Sequence, residues 1–207
     1  MGTESRDPRD GFLLEMYRQM SSHLNRHILL SWQSIGVVGG ALAVFVLGDK
    51  LDVKADIRLD FAIAIVILLC AWSIAHVFDA NNWFERNLHI ITNIERQFLK
   101  PSDREEIHYF FTTHRGERSE ATLIKHLQIQ FAMAASLWIM LVAYHLYQRV
   151  IPGLGAPMSN FEFARSIPYV VSAACVLYCW RVWKDRRDDY RKLVERSPGK
   201  PIGSQPQ

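Results

Sequence analysis

The 207-residue sequence has few of the features of a secreted, disulfide-bonded domain. It contains only three cysteines, Cys70, Cys175 and Cys179, and each lies within a long apolar run where an oxidant has poor access. We therefore predict reduced thiols rather than disulfides. The first ten residues are polar and of mixed charge, and no short apolar core with a small-residue cleavage site follows them. We expect no removable signal peptide for this reason.

Motifs that mark a catalytic centre are also missing from the sequence. It has no H-E-x-x-H zinc motif, no G-x-S-x-G elbow, no phosphate-binding glycine loop and no evident pair of catalytic carboxylates. Arg18 and His23 have the R-x4-H spacing of HEPN ribonucleases, but on a helix they would point about 140 degrees apart. We predict a protein that is not an enzyme, and we predict no cofactor.

The apolar residues are concentrated in four long runs, and most of the charged residues lie between these runs. The runs cover residues 28–47, 59–78, 129–146 and 167–182. A helix needs about 20 residues to cross the hydrocarbon of a bilayer, so this segregation predicts four transmembrane helices. The predicted fold is all-α, a four-helix transmembrane bundle whose spans are extended as cytoplasmic amphipathic helices.

Lysine and arginine are distributed unevenly among the polar segments. The N-terminal segment, the long middle segment and the C-terminal tail hold 4, 7 and 8 of the 24 cations, whereas the two short loops hold 3 and 2. Positive charge resists translocation and is retained on the cytoplasmic side. We therefore predict a multi-pass protein of the bacterial inner (cytoplasmic) membrane, with the N-terminus and the C-terminus in the cytoplasm.

This topology divides the chain into five segments. Residues 1–27 form a cytoplasmic amphipathic helix, 28–79 a first transmembrane hairpin, 80–128 a cytoplasmic helical segment, 129–183 a second hairpin and 184–207 a basic, partly disordered tail. The cations of the tail predict contact with anionic lipid headgroups. Membrane lipids are thus the first predicted partner, and no sequence-specific nucleic acid is predicted.

Polar residues that could bind a metal collect near the predicted cytoplasmic face. His23 and His27 precede the first span, His76 and Asp79 end the second, and His126 precedes the third. Histidines four residues apart share a helix face and can bind zinc when further ligands converge. We favour the ordinary alternative, histidines that only form hydrogen bonds at the interface, and predict no metal. A metal- or haem-binding membrane protein is the alternative that these residues leave open.

Two pairs of residues predict helix interfaces. Gly36 and Gly40 form a G-x-x-x-G motif in the first span, where small residues let helix backbones approach closely. Asn87 and Glu95 project into the apolar half of the helix after the second span, where a buried polar group can fix the register of an assembly. Tolerated edge positions are the alternative for the second pair. We predict a homo-oligomer, with a cytoplasmic protein partner as a second possibility.

The middle of the chain contains a run of aromatic, amide and charged residues. It consists of Asn82-Trp83-Phe84-Glu85-Arg86-Asn87-Leu88, followed by Asn93-Ile94-Glu95-Arg96-Gln97-Phe98 and Ile107-His108-Tyr109. Together with the spans, these residues resemble small multi-pass bacterial membrane proteins that accompany antiphage systems, including the RADAR deaminase system and type VI-B CRISPR loci. The resemblance implies an accessory or membrane-perturbing effector of antiviral defence, whose oligomer could form a channel. A small transporter is the competing class, but it predicts ionisable residues at mid-membrane, where these spans have almost none.

Overall fold

The computed structural model describes residues 8–48, 55–99, 103, 123, 125–155 and 162–196. Nearly all of these residues are helical, and no β-strand occurs among them. The predicted all-α class is therefore confirmed. Insertion in a membrane and the arrangement as one four-helix bundle stay predictions.

Four long helices account for most of the described residues: α1, Pro8–Gly48; α2, Ala55–Phe98; α3, Lys125–His145; and α4, Ile167–Arg196. Both α1 and α2 pass without a break between an apolar segment and an amphipathic one, as the continuous helical periodicity predicts. Pro168 is tolerated in the first turn of α4, because the N–H that proline lacks has no helical partner there. Between residues 100 and 124, the predicted cytoplasmic segment lies outside the described residues, apart from residues 103 and 123.

Short irregular helices lie between α3 and α4. The end of α3 continues into a π-helical turn, Leu146–Val150, which is closed by the Ile151 N–H donating to the Leu146 carbonyl. A 3-10 turn, Ile151–Gly153, follows directly, and a second one, Phe163–Ser166, leads into α4. Single π-helical turns are rare overall, and those that do occur are often found at functional sites. This turn carries Arg149, which is described below.

Three stretches of helix among the described residues are long and apolar enough to cross a membrane: Leu59–Phe98, Lys125–Gly153 and Phe163–Leu193. They include the second, third and fourth predicted spans. The first predicted span lies on α1, which is not one of these three. Several side chains near the end of α1 lie outside the described part of the structure, so this span stays a prediction.

The described residues form two compact units. Unit 1 is drawn from Met1–Leu29, Ala80–Thr122 and Arg186–Gln207, and unit 2 from Leu30–Asp79 and Leu123–Asp185. Each unit has an apolar cluster of its own. The predicted assignment of these segments to the cytoplasm and to the membrane stays a prediction.

The core of unit 1 is small. Leu24 of α1 packs with Leu88 and Ile91 of α2, and three partly buried side chains cover this contact: Tyr17, Met20 and Phe84. The apolar positions of both helices recur at helical spacing, so each helix presents one continuous stripe to the other. The contact joins the amphipathic halves of α1 and α2.

The core of unit 2 is larger and includes the cysteines. All three cysteines are free and buried, and they pack with eight other apolar residues: Val38, Ile63, Val66, Ile67, Ala71, Ile74, Ala134 and Leu141. Hydroxyl groups add hydrogen bonds inside this apolar surrounding. The Ser34 and Ser73 Oγ atoms lie 3.3 Å apart. Trp138 Nε1 donates to Ser172 Oγ at 3.1 Å. The cysteines thus serve as small core residues.

Candidate functional site

Charged and polar side chains from several parts of unit 2 meet where α3 ends. We call this group the charged cluster, and its members are Asp60 of α2, His145 of α3, Arg149 of the π-helical turn, Glu162 before α4, and Tyr169 of α4. Asp60 and His145 are fully buried, and Arg149 is 8% exposed. Ionised side chains are seldom buried to this degree unless they are paired.

Asp60 lies at the centre of the charged cluster. Its Oδ1 atom accepts a hydrogen bond from Arg149 Nε at 3.2 Å and lies 2.9 Å from His145 Nε2. Its Oδ2 atom accepts from Arg149 Nη2 at 3.3 Å. Both carboxylate oxygens are therefore bonded, and the guanidinium binds the carboxylate through two nitrogens, the geometry that makes such pairs strong.

His145 connects Asp60 to α4. Its Nδ1 atom lies 3.0 Å from the Tyr169 hydroxyl, and the two rings meet edge to face with their centroids 5.3 Å apart. A carboxylate bound to arginine acts as an acceptor, so the hydrogen of the neutral ring belongs on Nε2. Nδ1 then accepts the hydroxyl hydrogen of Tyr169. Both ring nitrogens are occupied in this arrangement.

The outer part of the charged cluster joins it to the turn before α4. Arg149 Nη2 donates to Glu162 Oε2 at 2.9 Å, and Arg165 Nε donates to the same oxygen at 3.2 Å. Arg165 also donates through Nη1 to the backbone carbonyl of Arg149 at 3.4 Å. A side chain on Gly153 would place its Cβ only 2.6 Å from Arg165 Nη1, so glycine leaves room for this guanidinium.

The carboxylates and guanidiniums of this site are equal in number. Asp60 and Glu162 oppose Arg149 and Arg165, and the described bonds use both oxygens of Asp60 and both nitrogens of His145. A histidine engaged on both sides is not available as a general base unless one of these bonds opens. The geometry is suited to holding α2, the π-helical turn and the start of α4 in one register.

The sequence contains only a partial signal for this site. His145 and Arg149 are four residues apart at one end of an apolar run, and Asp60 lies at the start of another run. Asp60 lies at the start of the second predicted span, 59–78, and its pairing with either residue was not predicted. The view that the spans are almost free of ionisable groups is correct for their middle, but it overlooked the buried charges at their ends.

The histidines of unit 1 that precede the first predicted span have different surroundings. His23 is exposed, whereas His27 stacks on the Trp83 indole with ring centroids 6.0 Å apart and planes 12° from parallel. Arg86 also lies over the Trp83 ring, with its guanidinium carbon 5.1 Å from the ring centroid. His27 is thus an aromatic packing residue.

Three further candidate ligands, His76, Asp79 and His126, lie in unit 2. His76 stacks on Trp72 with centroids 6.0 Å apart, and Asp79 and His126 are partly buried. Within the part of the chain that the structure describes, no group of three or more His, Cys, Asp or Glu side chains is placed to hold a metal ion.

The residues predicted at helix interfaces differ in exposure. Gly36 and Gly40 are not buried, and a Cβ atom on either would meet nothing within 4 Å among the described residues. Asn87 is only 3% exposed and is buried by its own chain, with no partner for Nδ2 among the described residues. Glu95 is half-buried and accepts a hydrogen bond from the Tyr17 hydroxyl at 3.3 Å. The interface role of these four residues stays a prediction.

Burial changes the ionisation of the Tyr17 phenol. Burial, the charge of Glu95 and the hydrogen bond to Glu95 all raise the pKa of Tyr17. The phenol therefore stays protonated at neutral pH and acts as the donor to Glu95.

No protein-family model, curated protein or solved structure matches this chain, so no relative assigns a role to Tyr17, Glu95 or the charged cluster.

Proposed function

We propose that this protein is a non-enzymatic integral membrane protein of the bacterial inner membrane, acting by self-association or by binding a partner. The observation that carries the proposal is that most of the apolar side chains of α3 and α4 in unit 2 are not buried. In the most apolar part of α3 only 22% of the residues are buried, and in that of α4 only 17%. The exposed side chains include Ile139, Met140, Val176 and Leu177.

Such a surface is unfavourable in water. A soluble monomer rarely exposes a contiguous apolar patch of more than a few hundred Å². Lipid tails cover the same side chains without cost, since they are as apolar as leucine. The α2 helix differs, because 56% of its most apolar part is buried. This pattern supports a bilayer around unit 2, with α2 as the most enclosed of the three apolar helices.

The charged cluster supports a scaffold rather than a catalyst. Its buried carboxylate and imidazole are bonded to each other and to Arg149 and Tyr169, so neither of them is poised to act on a substrate as an acid or a base. Ionisable residues inside membrane proteins also mark transport pathways. Here they are paired and lie at the ends of the predicted spans, which favours a role in fixing the helices.

The small-residue face of α1 supports self-association. Gly36 and Gly40 lie one turn apart, and the space beside both is open within the described chain. A second copy could bring its backbone close to this face. By its resemblance to the accessory proteins of antiphage loci, the assembly would serve antiviral defence as a partner-binding component or as an effector that perturbs the inner membrane.

Fractionation and labelling test the membrane topology. A cysteine-free variant that carries either Ser5→Cys or Asp52→Cys would be expressed in bacterial cells and exposed to a membrane-impermeant maleimide. We expect both variants in carbonate-washed membranes, with Asp52→Cys labelled in intact cells and Ser5→Cys labelled only after permeabilisation. Recovery in the soluble fraction, or the reverse labelling order, would refute the proposal.

Particle mass in lipid nanodiscs tests self-association. We expect the wild type to exceed the 23.9 kDa of one chain, and the double variant Gly36→Leu, Gly40→Leu to shift toward the monomer because the added side chains separate the helices. Val37→Leu is the matched control, since it adds bulk to an exposed neighbouring position of α1. A monomeric wild type, or an assembly that the double variant leaves unchanged, contradicts association through this face.

Dye entry tests the effector part of the proposal separately. Cells that express the wild type during phage infection should admit propidium iodide earlier than cells that express the Gly36→Leu, Gly40→Leu variant. Equal dye entry at equal membrane abundance would argue against a membrane-perturbing assembly. Equal dye entry would not bear on the membrane topology, which the labelling experiment tests separately.

A further inference from the structure

A cavity of about 500 Å³ lies inside unit 1, between the first turns of α1 and the last turns of α2. Cavities that bind small molecules usually measure about 300–1,000 Å³ and combine apolar walls with a few polar groups. This cavity has that composition. Its walls include Leu14, Ile94 and Phe98, and its polar groups are Asp10, Tyr17 and Glu95.

Glu95 provides an acceptor that the described part of the chain leaves empty. Its Oε1 atom accepts the Tyr17 hydroxyl hydrogen, but its Oε2 atom is buried and has no hydrogen-bond partner among the described residues. Buried acceptors without partners are uncommon in folded proteins and call for a specific explanation. The described contacts of Glu95 also include no ion pair, so its carboxyl group lies beside the cavity without a cation among the described residues.

Asp10 adds a second negative charge to the wall. It faces the Arg9 guanidinium at 3.8 Å, and this contact is between two exposed side chains of neighbouring residues. An exposed pair of this kind is weak and leaves the carboxylate available to solvent or to a ligand. Among the described residues, Gly11 leaves space beside Asp10, since a Cβ there would meet none of them within 4 Å. The described part of the cavity therefore combines apolar walls with two acidic groups.

We propose that this cavity binds a small organic cation, a primary ammonium or guanidinium group attached to an apolar or aromatic body. The cation pairs with the Glu95 carboxylate, which Tyr17 holds through Oε1, and the apolar body lies against Leu14, Ile94 and Phe98. Anions are rejected by the two carboxylates. A neutral molecule of the same shape fills the cavity but leaves the Glu95 charge without a partner.

The experiment compares a cation with its neutral analogue on the full chain in lipid nanodiscs. The probes are phenethylammonium chloride and 2-phenylethanol, which share an aromatic body and differ in the head group. Binding is followed by isothermal titration calorimetry, and heats measured with empty nanodiscs are subtracted to remove partition into lipid. We expect saturable binding of phenethylammonium at least about tenfold tighter than that of 2-phenylethanol, as a charge-assisted hydrogen bond implies.

Two variants locate the interaction. Glu95→Gln keeps the size of the side chain and should remove the preference for the cation, whereas Glu15→Gln, an exposed position of α1 outside the cavity, should keep it. Equal affinity for the two probes on the wild type, or an undiminished preference in Glu95→Gln, overturns the proposal. The comparison of probes on the wild type needs no variant, so it decides the question even if Glu95→Gln fails to fold.

Discussion

A carboxylate in unit 2 and a carboxylate in unit 1 have opposite surroundings. In unit 2, Asp60 is fully buried, and both of its oxygens are bonded to Arg149 or His145. In unit 1, Glu95 is half-buried, and only one oxygen has a described partner, the Tyr17 hydroxyl at 3.3 Å. The first carboxylate belongs to a closed network of charges, whereas the second lines a cavity and has one oxygen without a partner among the described residues.

We expect this difference to separate a carboxylate that stabilises the fold from one that binds a ligand. A buried ion pair contributes little net stability compared with apolar residues, but removal of one partner leaves the other charge without compensation. Asp60 should therefore be costly to replace. A half-buried carboxylate with a single weak hydrogen bond contributes little to folding and is available to a ligand. Replacement of Glu95 should thus change stability little and binding strongly.

The largest expected effect follows the loss of the charge at Asp60. Asp60→Asn keeps the shape of the side chain but leaves the Arg149 guanidinium buried beside a neutral amide. We expect the free energy of unfolding to fall by about 3 kcal/mol or more, the usual cost of breaking a buried ion pair. The measurement is reversible unfolding in mixed detergent micelles, followed by circular dichroism.

An exposed ion pair of unit 2 provides the control for Asp60→Asn. Asp185 lies 4.0 Å from Arg181 with 65% of its side chain exposed, so Asp185→Asn should change the free energy of unfolding by less than about 1 kcal/mol. The double variant Asp60→Leu, Arg149→Leu should be more stable than Asp60→Asn, because it removes both charges. A loss for Asp60→Asn no larger than that for Asp185→Asn would contradict the interpretation of the charged cluster.

A smaller effect is expected where a neutral hydrogen bond of the same cluster is removed. Tyr169→Phe deletes the hydroxyl that lies 3.0 Å from His145 Nδ1 and leaves that buried nitrogen without a donor. We expect a loss of about 1–2 kcal/mol, as for other buried groups that lose a partner. Tyr178→Phe on α4 is the control, because the Tyr178 side chain is 56% exposed and should lose almost nothing. Equal losses in the two variants would show that the Tyr169 hydroxyl does not support His145.

The helices were predictable from the sequence because their signals are local. The apolar runs and the 3.6-residue periodicity each depend on neighbouring residues, and α2 appears where these signals place it. The α4 helix begins with its apolar run at Ile167 but continues beyond the predicted end of the span at 182 to Arg196. The charged cluster depends on distant residues, since Asp60 and His145 are 85 positions apart. Their contact requires the ends of two helices to lie at the same level, which no local pattern specifies. The π-helical turn that carries Arg149 also has no sequence signature.

The cavity of unit 1 was also only partly predictable from the sequence. Sequence periodicity identified Glu95 as a polar residue on an apolar helix face, and the structure places it beside apolar side chains of both helices. The pattern could not identify Tyr17, which is 78 positions away, as its hydrogen-bond donor. It also could not distinguish an interface from a cavity, because a polar residue within an apolar stripe is compatible with both.

The smallest change in the free energy of unfolding is expected for Glu95→Gln. Unlike the change for Asp60→Asn, it should not be a loss. In Glu95→Gln the amide oxygen can still accept from Tyr17, while a partly desolvated charge without a described cation is removed. We therefore expect either no change or a gain of up to about 1 kcal/mol in the free energy of unfolding. The same detergent titration measures it, and Glu15→Gln is the exposed control on α1. A loss as large as that of Asp60→Asn would show that Glu95 is held in a closed network like that of Asp60. That result would remove the physical basis for a free acceptor in the cavity.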